Sequence, residues 1–464
     1  MIPVPMADVA ALTGATVVGV PSAELVTADV EVDSRLVVPG GLFVALPGER
    51  SDGHDHAAAA VQQGAVAVLS ARPVDGVPCL VVDDPLAAMQ VLARELWLRG
   101  KPPLTFGVTG SSGKTSTKDL LAHVLAEAGP TLSPPGSFNN EVGLPLTALR
   151  RTEQTEYAVL EYSARGIGHI DVLRGIVQPD VALLLNIGTA HLGEFGGREA
   201  IAQAKGELLQ GSGLAVLNAD DGLVLGQARR APGRVVTFGT TADADVRAEA
   251  LELDDDGRPR FRLVTAGGSA DVHLQLRGAH SASNALAVAA AALEVLPVDR
   301  VAALLSTATP TSRWRMEVVE RADGVTVVND AYNANPESMR AALKTLAVMS
   351  RGKARRTVAV LGHMAELGDD AREAHMDLGR FVVRLDITQL VVVGEAAGGI
   401  HAGAVLEGSW GSESIHVADV AEALELLRAE LEPGDVVLVK ASRSAGLERV
   451  AAALLDEPLS GSSA

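Results

Sequence analysis

Short apolar runs, each followed by a polar or glycine-containing turn and then a stretch with helical spacing, recur along most of this chain. Strands alternating with helices in this way make parallel sheets with crossover helices. Residues 1–100 carry apolar runs at 41–45, 65–69 and 80–82 and a helical pattern over 85–99. Gly100-Lys101-Pro102-Pro103 then reads as a linker, because consecutive prolines cannot continue a helix. A second series of runs, at 104–108, 157–161, 181–185, 214–217 and 234–238, predicts a parallel sheet. Between 243 and 276 the period drops to strict alternation around Asp256-Gly257 and Gly267-Gly268, which predicts antiparallel hairpins on the flank of that sheet. An alanine-rich helix is expected from about 281. Beyond it, runs at 325–328, 357–361, 389–393, 415–417 and 436–439, with helices over 337–349, 370–385 and 419–431, predict a second, doubly wound sheet. The small polar tail Pro458–Ala464 is expected to fray, and no repeat of fixed period is present. The expectation is an α/β protein of three domains, 1–100, 101–311 and 312–464, the central one a P-loop-type parallel sheet and the last a Rossmann-like doubly wound sheet.

Length agrees with that division, since 464 residues exceed what one core organises. The formal net charge of −19, with no basic tract, argues against nucleic acid as a partner, so an anionic ligand must be held by local groups. Cys79 is the single cysteine, which rules out an intrachain disulfide; it reads as a small core residue in a reducing compartment. No charged leader followed by an apolar core opens the sequence, and the most apolar helix contains Ser283, Asn284 and Glu294. Neither a signal peptide nor a membrane span is therefore expected.

The first chemistry lies in Leu104-Thr105-Phe106-Gly107-Val108-Thr109-Gly110-Ser111-Ser112-Gly113-Lys114-Thr115-Ser116. An apolar run, a small-residue loop and a helix start form a phosphate cradle: Gly110 and Gly113 let backbone N–H groups converge, Lys114 adds charge, and Thr115 offers a hydroxyl to Mg²⁺. The first glycine of the usual P-loop pattern is replaced by Val108. A glycine-rich turn can also merely cap a helix, but Gly-Lys-Thr between strand and helix favours phosphate.

Ligands of open α/β sheets sit beyond the carboxyl ends of the strands, so the residues ending each run carry weight. Tyr157–Leu160 ends in Glu161, and Val181–Leu185 is followed by Asn186, Gly188, Thr189 and His191. A carboxylate, an imidazole and the Thr115 hydroxyl around phosphates make a reasonable Mg²⁺ environment. Singly, Glu161 reads as a surface acid and His191 as a loop histidine; their common placement reverses that. Lys205 lies in a helical pattern where a solvated lysine is the usual reading. Asn329-Asp330-Ala331-Tyr332-Asn333-Ala334-Asn335-Pro336 holds more polar groups than a turn and a helix cap need. His54 and His56 lack the spacing of a zinc site, and Gly394–Gly398 is too loose for a dinucleotide fingerprint.

Taken in order, these motifs resemble the Mur ligase family over nearly the whole chain. The markers are Asp33-Ser34-Arg35, Leu42–Leu46, Asp52-Gly53-His54, Thr109–Thr115, Phe138–Gly143, Glu161, Asn186–His191, Ala204–Glu207 and Asn284. They continue with Trp314–Glu317, Ala331–Pro336, Leu361–Gly368 and Val439–Ser444. The resemblance implies an N-terminal module for a UDP-sugar, a central ATPase module, and a C-terminal module for an incoming amino compound. Asn333–Pro336 and Leu361–Gly368 resemble the dipeptide-adding type, and the Asp-Asn-Pro-Arg expected of a diaminopimelate-adding relative is absent from the third domain. The implied activity is ATP-dependent joining of D-alanyl-D-alanine to UDP-N-acetylmuramoyl-tripeptide through an acyl phosphate, by a cytoplasmic monomer.

By the same resemblance, Gly110, Ser111, Ser112, Gly113, Lys114, Thr115 and Ser116 cradle ATP, with Lys114 on the β- and γ-phosphates. Asn284, Arg315, Asp330 and Tyr332 complete the nucleotide site when the C-terminal domain closes. Thr115, Glu161, His191 and a carbamylated Lys205 are the implied Mg²⁺ environment, and Lys114, Glu161, His191 and Lys205 the catalytic set. Ser34, Arg35, Asp52, His54 and Asn140 are assigned to the UDP-substrate, and Asn333, Asn335, Ser442 and Arg443 to the acceptor. Three positions depart from the family pattern: Tyr162-Ser163 for Met-Gly, His363 for aspartate, and Ala441 for glycine. The competing readings are another Mur-type ligase, a folylpolyglutamate-type ligase, which leaves residues 1–100 unexplained, a P-loop NTPase of other function, and a nucleotide-binding module without catalysis.

Overall fold

The structure, a computed structural model, describes residues 1–19, 24–48, 51–188, 195–351, 355–408 and 412–456. The tail Pro458–Ala464 and His191 lie outside the described residues. Three sheets organise the chain. The first has five strands with Leu42–Val44, Ala67–Ser70 and Cys79–Val81 at its centre, accompanied by a two-stranded ribbon, Val4–Pro5 with Leu25–Val26. Helix Pro85–Leu98 closes its inner face; Asp84 caps it by accepting from the N–H groups of Leu86 and Ala87, and Pro85 occupies the first turn, where no donor is needed.

The central sheet has nine strands. Strand Leu104–Thr109 pairs in parallel with Val181–Leu184 on one side and Tyr157–Glu161 on the other. The chain leaves this strand at the point where the strand order reverses, the crevice at which open sheets bind ligands. The alternating segment forms strands Val246–Leu253, Pro259–Thr265 and Gly268–His273, antiparallel as expected. They continue the main sheet, because Phe238 and Gly239 pair in parallel with Val246 and Arg247. Their alternate residues Val246, Ala248, Phe261, Leu263 and Val272 are buried against helix Ala279–Ala292. That helix is apolar on nearly every side, and the helices and strands around it bury it almost whole.

The linker Gly100–Pro103 is tightly held. Arg151, buried at the end of helix Gly143–Leu149, donates through Nη1 to the carbonyls of Leu96 (3.1 Å), Trp97 (2.6 Å) and Arg99 (3.0 Å), and through Nη2 to that of Lys101 (2.6 Å). One guanidinium thus satisfies carbonyls that the helix end and the prolines leave open. A single apolar core, including Leu42, Leu92, Trp97, Leu144 and Leu160, joins the first sheet to the second.

The third sheet runs in the order Glu317–Glu320, Thr326–Asn329, Val436–Lys440, Thr357–Leu361, Gln389–Val393, Ser414–Val417. It is parallel except for its first strand, and helices cover both faces over two separate cores. The edge strand Glu317–Glu320 and helices Gly398–Glu407 and Glu448–Asp456 have no counterpart in the sequence reading. The strand is short with charged ends and the first helix opens on two glycines, so neither shows the periodicity that betrays an element. Among the described residues, no helix is long and apolar enough to cross a membrane.

Candidate active site

Gly110–Gly113 forms a tight loop between strand Leu104–Thr109 and helix Lys114–Ala126, so the first N–H groups of that helix face outward beyond the sheet edge. Gly113 sits at φ +81°, and a Cβ there would lie 2.7 Å from Asn284 Oδ1, so both backbone and space require glycine. Asn186 fastens the loop: its Oδ1 accepts from the Ser112 N–H at 3.0 Å, its Nδ2 donates to the Ser112 carbonyl at 3.1 Å, and its own carbonyl accepts from the Ser111 N–H. The Gly188 N–H donates to Ser111 Oγ at 2.9 Å. Lys114 Nζ, folded back on the Gly110 carbonyl at 2.8 Å, is at the mouth of this cradle.

Thr115 donates through Oγ1 to Glu161 Oε2 at 2.8 Å, and Asn139 Nδ2 donates to Glu161 Oε1 at 2.7 Å. Ser137 Oγ lies 2.8 Å from Thr115 Oγ1. These are hard oxygen donors, the set Mg²⁺ takes together with phosphate oxygens and water. Among the described residues no three His, Cys, Asp or Glu side chains gather into a metal cluster. Lys205 is buried, and burial lowers its pKa well below the usual lysine range; Lys114 lowers it further, while Glu161 opposes the shift. The pKa of Lys114 is itself lowered by burial, raised by Glu161 and lowered by Arg315. The neutral amine is the form of lysine that adds carbon dioxide, and the downward shift favours it, so the residue is compatible with a carbamate.

The opposite wall comes from the third sheet. A cleft of about 570 Å³ is lined on one side by Ser111–Ser116, Ser137, Asn139 and Glu161, and on the other by Arg315, Asp330, Tyr332–Asn335, Lys440 and Ser442–Ser444. Arg315 reaches across the cleft: its Nη2 donates to Ser137 Oγ at 2.9 Å, and its guanidinium lies 4.2 Å from the centre of the Tyr332 ring. The buried Nε of Arg315 has no hydrogen-bond partner among the described residues. Its neighbours Trp314 and Met316 both stand in the left-handed region, at φ +59° and +50°, where a bulky residue is strained by about 1 kcal/mol or more. Tyr332 N–H to the Trp314 carbonyl and Met316 N–H to Asp330 Oδ1 hold that turn. Asp330 Oδ2 pairs with the buried Lys440 at 2.6 Å, and Lys440 also donates to the Asn333 carbonyl. His280, on the central side, faces this pair; its pKa is lowered by burial first, with Asp330 opposing and Lys440 adding to the shift.

Asn335 spans the two walls. Its Oδ1 accepts from the Ser338 N–H at the start of helix Pro336–Arg351, and its Nδ2 donates to the Ser111 carbonyl at 3.4 Å. Asn333 Oδ1 accepts from the Ala334 N–H, and Ser442 Oγ from the Ala365 N–H. Arg443 stacks 4.4 Å from the Trp314 ring centre and pairs with Glu448 at 2.5 Å. Asn284 and Ser116 line the same cleft.

Asn140 does not line the cleft. Its Oδ1 accepts from the N–H groups of Val142 and Gly143 and caps helix Gly143–Leu149, while its neighbour Asn139 makes the contact to Glu161. Two adjacent asparagines carry no sequence signal to tell cap from ligand. Ser34, Arg35, Asp52 and His54 stand apart on the first sheet and do not join this cleft. Arg35 is exposed and grips Asp33 in a two-point pair, Nε–Oδ1 2.9 Å and Nη2–Oδ2 2.6 Å, which lowers the Asp33 carboxyl to about 2. Asp52 binds the backbone N–H and Nδ1 of His54, and Arg72, and its carboxyl is held well below the usual range by those bonds. His54 is buried with both ring nitrogens engaged, since Nδ1 meets Asp52 and Nε2 accepts from the Ala71 N–H.

Of the departures from the family pattern, Tyr162 and Ala441 are buried packing positions, whereas Ser163 lines the cleft and His363 touches its lining. Tyr162 is fully buried with its hydroxyl on the Val177 carbonyl, and its own carbonyl accepts from Thr109 Oγ1. Ala441 packs on Gly362, where an added Cβ would come within 2.8 Å of the Ala441 methyl. His363 Nε2 lies 3.0 Å from Ser444 Oγ.

Comparison with known proteins agrees with this architecture. Residues 28–96 match the model of the Mur ligase family catalytic domain, 108–292 the Mur ligase middle domain, and 314–443 the Mur ligase glutamate ligase domain. The chain is 49% identical to the UDP-N-acetylmuramoyl-tripeptide–D-alanyl-D-alanine ligase of Mycobacterium bovis, over 100% of this chain and 99% of that one. Among solved structures, MurF from Acinetobacter baumannii superposes with a TM-score of 0.86 at 32% identity, covering 98% of this chain and 99% of the other. MurF ligase from Thermotoga maritima in complex with ADP gives 0.79 at 30% identity, covering 92% and 96%.

Proposed function

The chain belongs to the Mur ligase family, and we propose that it is the member that joins D-alanyl-D-alanine to UDP-N-acetylmuramoyl-tripeptide, driven by ATP, in cytoplasmic peptidoglycan precursor synthesis. The observation that carries the reading is the shared cleft, with the phosphate loop and Glu161 on one wall and Arg315, Asp330 and Lys440 on the other. Its division is read as a UDP-sugar domain, 1–100, an ATP domain, 101–311, and an acceptor domain, 312–464, in a chain that acts as a monomer.

Amide formation needs an activated acyl donor. The tripeptide carboxylate attacks the γ-phosphorus of ATP, ADP leaves, and an acyl phosphate forms. The neutral dipeptide amine then adds to the acyl carbon, the C–O bond to phosphate breaks and inorganic phosphate departs, and the nitrogen gives up one proton and keeps the other as the amide N–H. Positioning and charge neutralisation dominate such chemistry. The loop N–H groups and Lys114 hold the β- and γ-phosphates, and the unpartnered Nε of Arg315 has the placement to grip the transferred group as the cleft closes. Mg²⁺, when bound, neutralises phosphate charge; Thr115, Glu161, His191 and carbamylated Lys205 would hold it. Carbamylation of Lys205 turns a buried amine into an oxygen-donor anion, and its lowered pKa supports this by supplying the neutral nucleophile. Asn284 and Tyr332 are read as contacts to adenine and ribose, Asn333, Asn335, Ser442 and Arg443 as the acceptor wall, and Ser34 and Arg35 as the UDP end. Because nucleotide and acceptor groups come from different domains, the complete site exists only on closure, which limits futile hydrolysis.

Incubation with ATP, UDP-N-acetylmuramoyl-tripeptide and D-alanyl-D-alanine should yield a product heavier than the tripeptide by one dipeptide less water. A mass spectrum without that product, under conditions where the protein binds nucleotide, rejects the assignment.

A further inference from the structure

We infer that Ser137 is a positioning residue that couples the third domain to the Mg²⁺ end of the nucleotide site, by fixing the hydroxyl of Thr115 when Arg315 docks; this rests on the ligase reading above. Four groups stand in line. Arg315 Nη2 lies 2.9 Å from Ser137 Oγ, Ser137 Oγ 2.8 Å from Thr115 Oγ1, and Thr115 Oγ1 2.8 Å from Glu161 Oε2. A guanidinium only donates and a carboxylate only accepts, while each hydroxyl has one hydrogen to give. The Thr115 hydrogen goes to Glu161, so Ser137 donates to Thr115 and accepts the Arg315 N–H on its own lone pair. Both hydroxyls therefore point one way, from the third domain toward Glu161. The opposite charges at the two ends polarise the chain in that same sense.

That direction decides what Thr115 can offer a cation. Its oxygen gives one hydrogen and accepts one, so a single lone pair remains, with its direction set by the other two bonds. Without Arg315, Ser137 is free to turn and accept from Thr115 instead, which takes the Thr115 hydrogen off Glu161 and releases the remaining lone pair. Ser137 is also the one hydrogen-bond partner of the Arg315 guanidinium among the described residues. Docking of the third domain is thus read at Thr115 through one serine.

The backbone holds Ser137 to this task. Gly136, at φ +82°, turns the chain into the segment 137–139. Two residues on from Ser137, Asn139 Nδ2 donates to the second oxygen of Glu161 at 2.7 Å, and the Asn139 carbonyl accepts from the Ser163 N–H at 2.9 Å. Phe138 between them lies against the start of helix Gly143–Leu149, where a Cβ on Gly143 would fall 2.7 Å from the Phe138 Cα. One short segment therefore serves Thr115 through Ser137 and Glu161 through Asn139.

Calorimetry on the full chain with a non-hydrolysable ATP analogue, in Mg²⁺ and in chelator, compares wild type, Ser137→Ala, Arg315→Ala and the double variant. The readout is the factor by which Mg²⁺ tightens nucleotide binding. In Ser137→Ala that factor should fall by about 5- to 30-fold, the loss of one part-buried hydrogen bond, while affinity in chelator stays within about threefold of wild type. Because both residues act through one chain, the double variant should lose no more of the factor than the worse single variant. Equal loss of affinity in the two conditions by Ser137→Ala overturns the inference, since a change of loop shape alone would do that. So do losses that multiply in the double variant, and so does a wild type that binds the analogue equally well with and without Mg²⁺. A wild type that binds no nucleotide in either condition overturns the ligase reading itself.

Discussion

Replacing Arg315 by lysine keeps a positive charge in the cleft but removes the planar fork. In the structure that fork makes one hydrogen bond to Ser137 Oγ at 2.9 Å, stacks 4.2 Å from the Tyr332 ring centre, and leaves a buried Nε without a hydrogen-bond partner among the described residues. Losing a charge-assisted hydrogen bond to phosphate costs about 1.5–3 kcal/mol, and losing the aromatic contact a further 0.5–1 or so. Together they come to about 2–4 kcal/mol of transition-state stabilisation, a fall of about 30- to 1000-fold in kcat/KM for ATP. Steady-state phosphate release measures this, with Tyr332→Phe as a control that keeps the ring and should lose little. Since Arg315 lies in the link between two cores, the melting temperature should hardly move. An Arg315→Lys enzyme within about threefold of wild type would refute the reasoning that the cleft needs both donors and the stack.

Lys205→Ala should lose at least about 100-fold in kcat, and high bicarbonate with a short carboxylate should restore part of it, because an oxygen anion is what the site lacks. Since burial lowers the pKa of Lys205 and so favours its neutral amine, wild-type activity lost on acidification should be partly regained with added bicarbonate; no response to bicarbonate in either protein argues against the carbamate. Asn186→Ala unfastens Ser112 and should weaken ADP binding by about 5- to 100-fold by calorimetry; an unchanged affinity would mean that the loop holds its shape without that amide. Arg151→Ala strands the carbonyls of Leu96, Trp97, Arg99 and Lys101 and should destabilise the protein by about 3 kcal/mol in thermal or denaturant unfolding, while an unaltered transition would show that the linker is held by its neighbours.

Much of the fold was legible because it is periodic. Runs such as Leu104–Thr109, Tyr157–Glu161 and Thr357–Leu361 are long, apolar and bounded by turns, so each strand could be read on its own. What failed had no period. Glu317–Glu320 is a strand because Thr326–Asn329 offers it an edge, a fact of tertiary pairing. In the site, groups within a few residues of the phosphate loop were legible, and so was Glu161 at the end of the adjacent strand. Ser137 was missed because its importance lies in touching both Thr115 and Arg315, each distant in sequence. Asn139 and Asn140 show the limit of a motif, since the sequence does not tell which of the pair meets Glu161 and which holds the start of a helix. Lys205 looks solvated by its helical neighbours, and only its burial beside Glu161 and Lys114 explains its altered proton affinity.

The central claim is that the cleft activates a carboxylate by phosphorylating it. A tripeptide labelled with heavy oxygen in its terminal carboxylate tests this most directly. With ATP and D-alanyl-D-alanine, one labelled oxygen should be carried into the inorganic phosphate for each amide formed, as the acyl phosphate collapses. Amide formation with unlabelled phosphate would contradict the account.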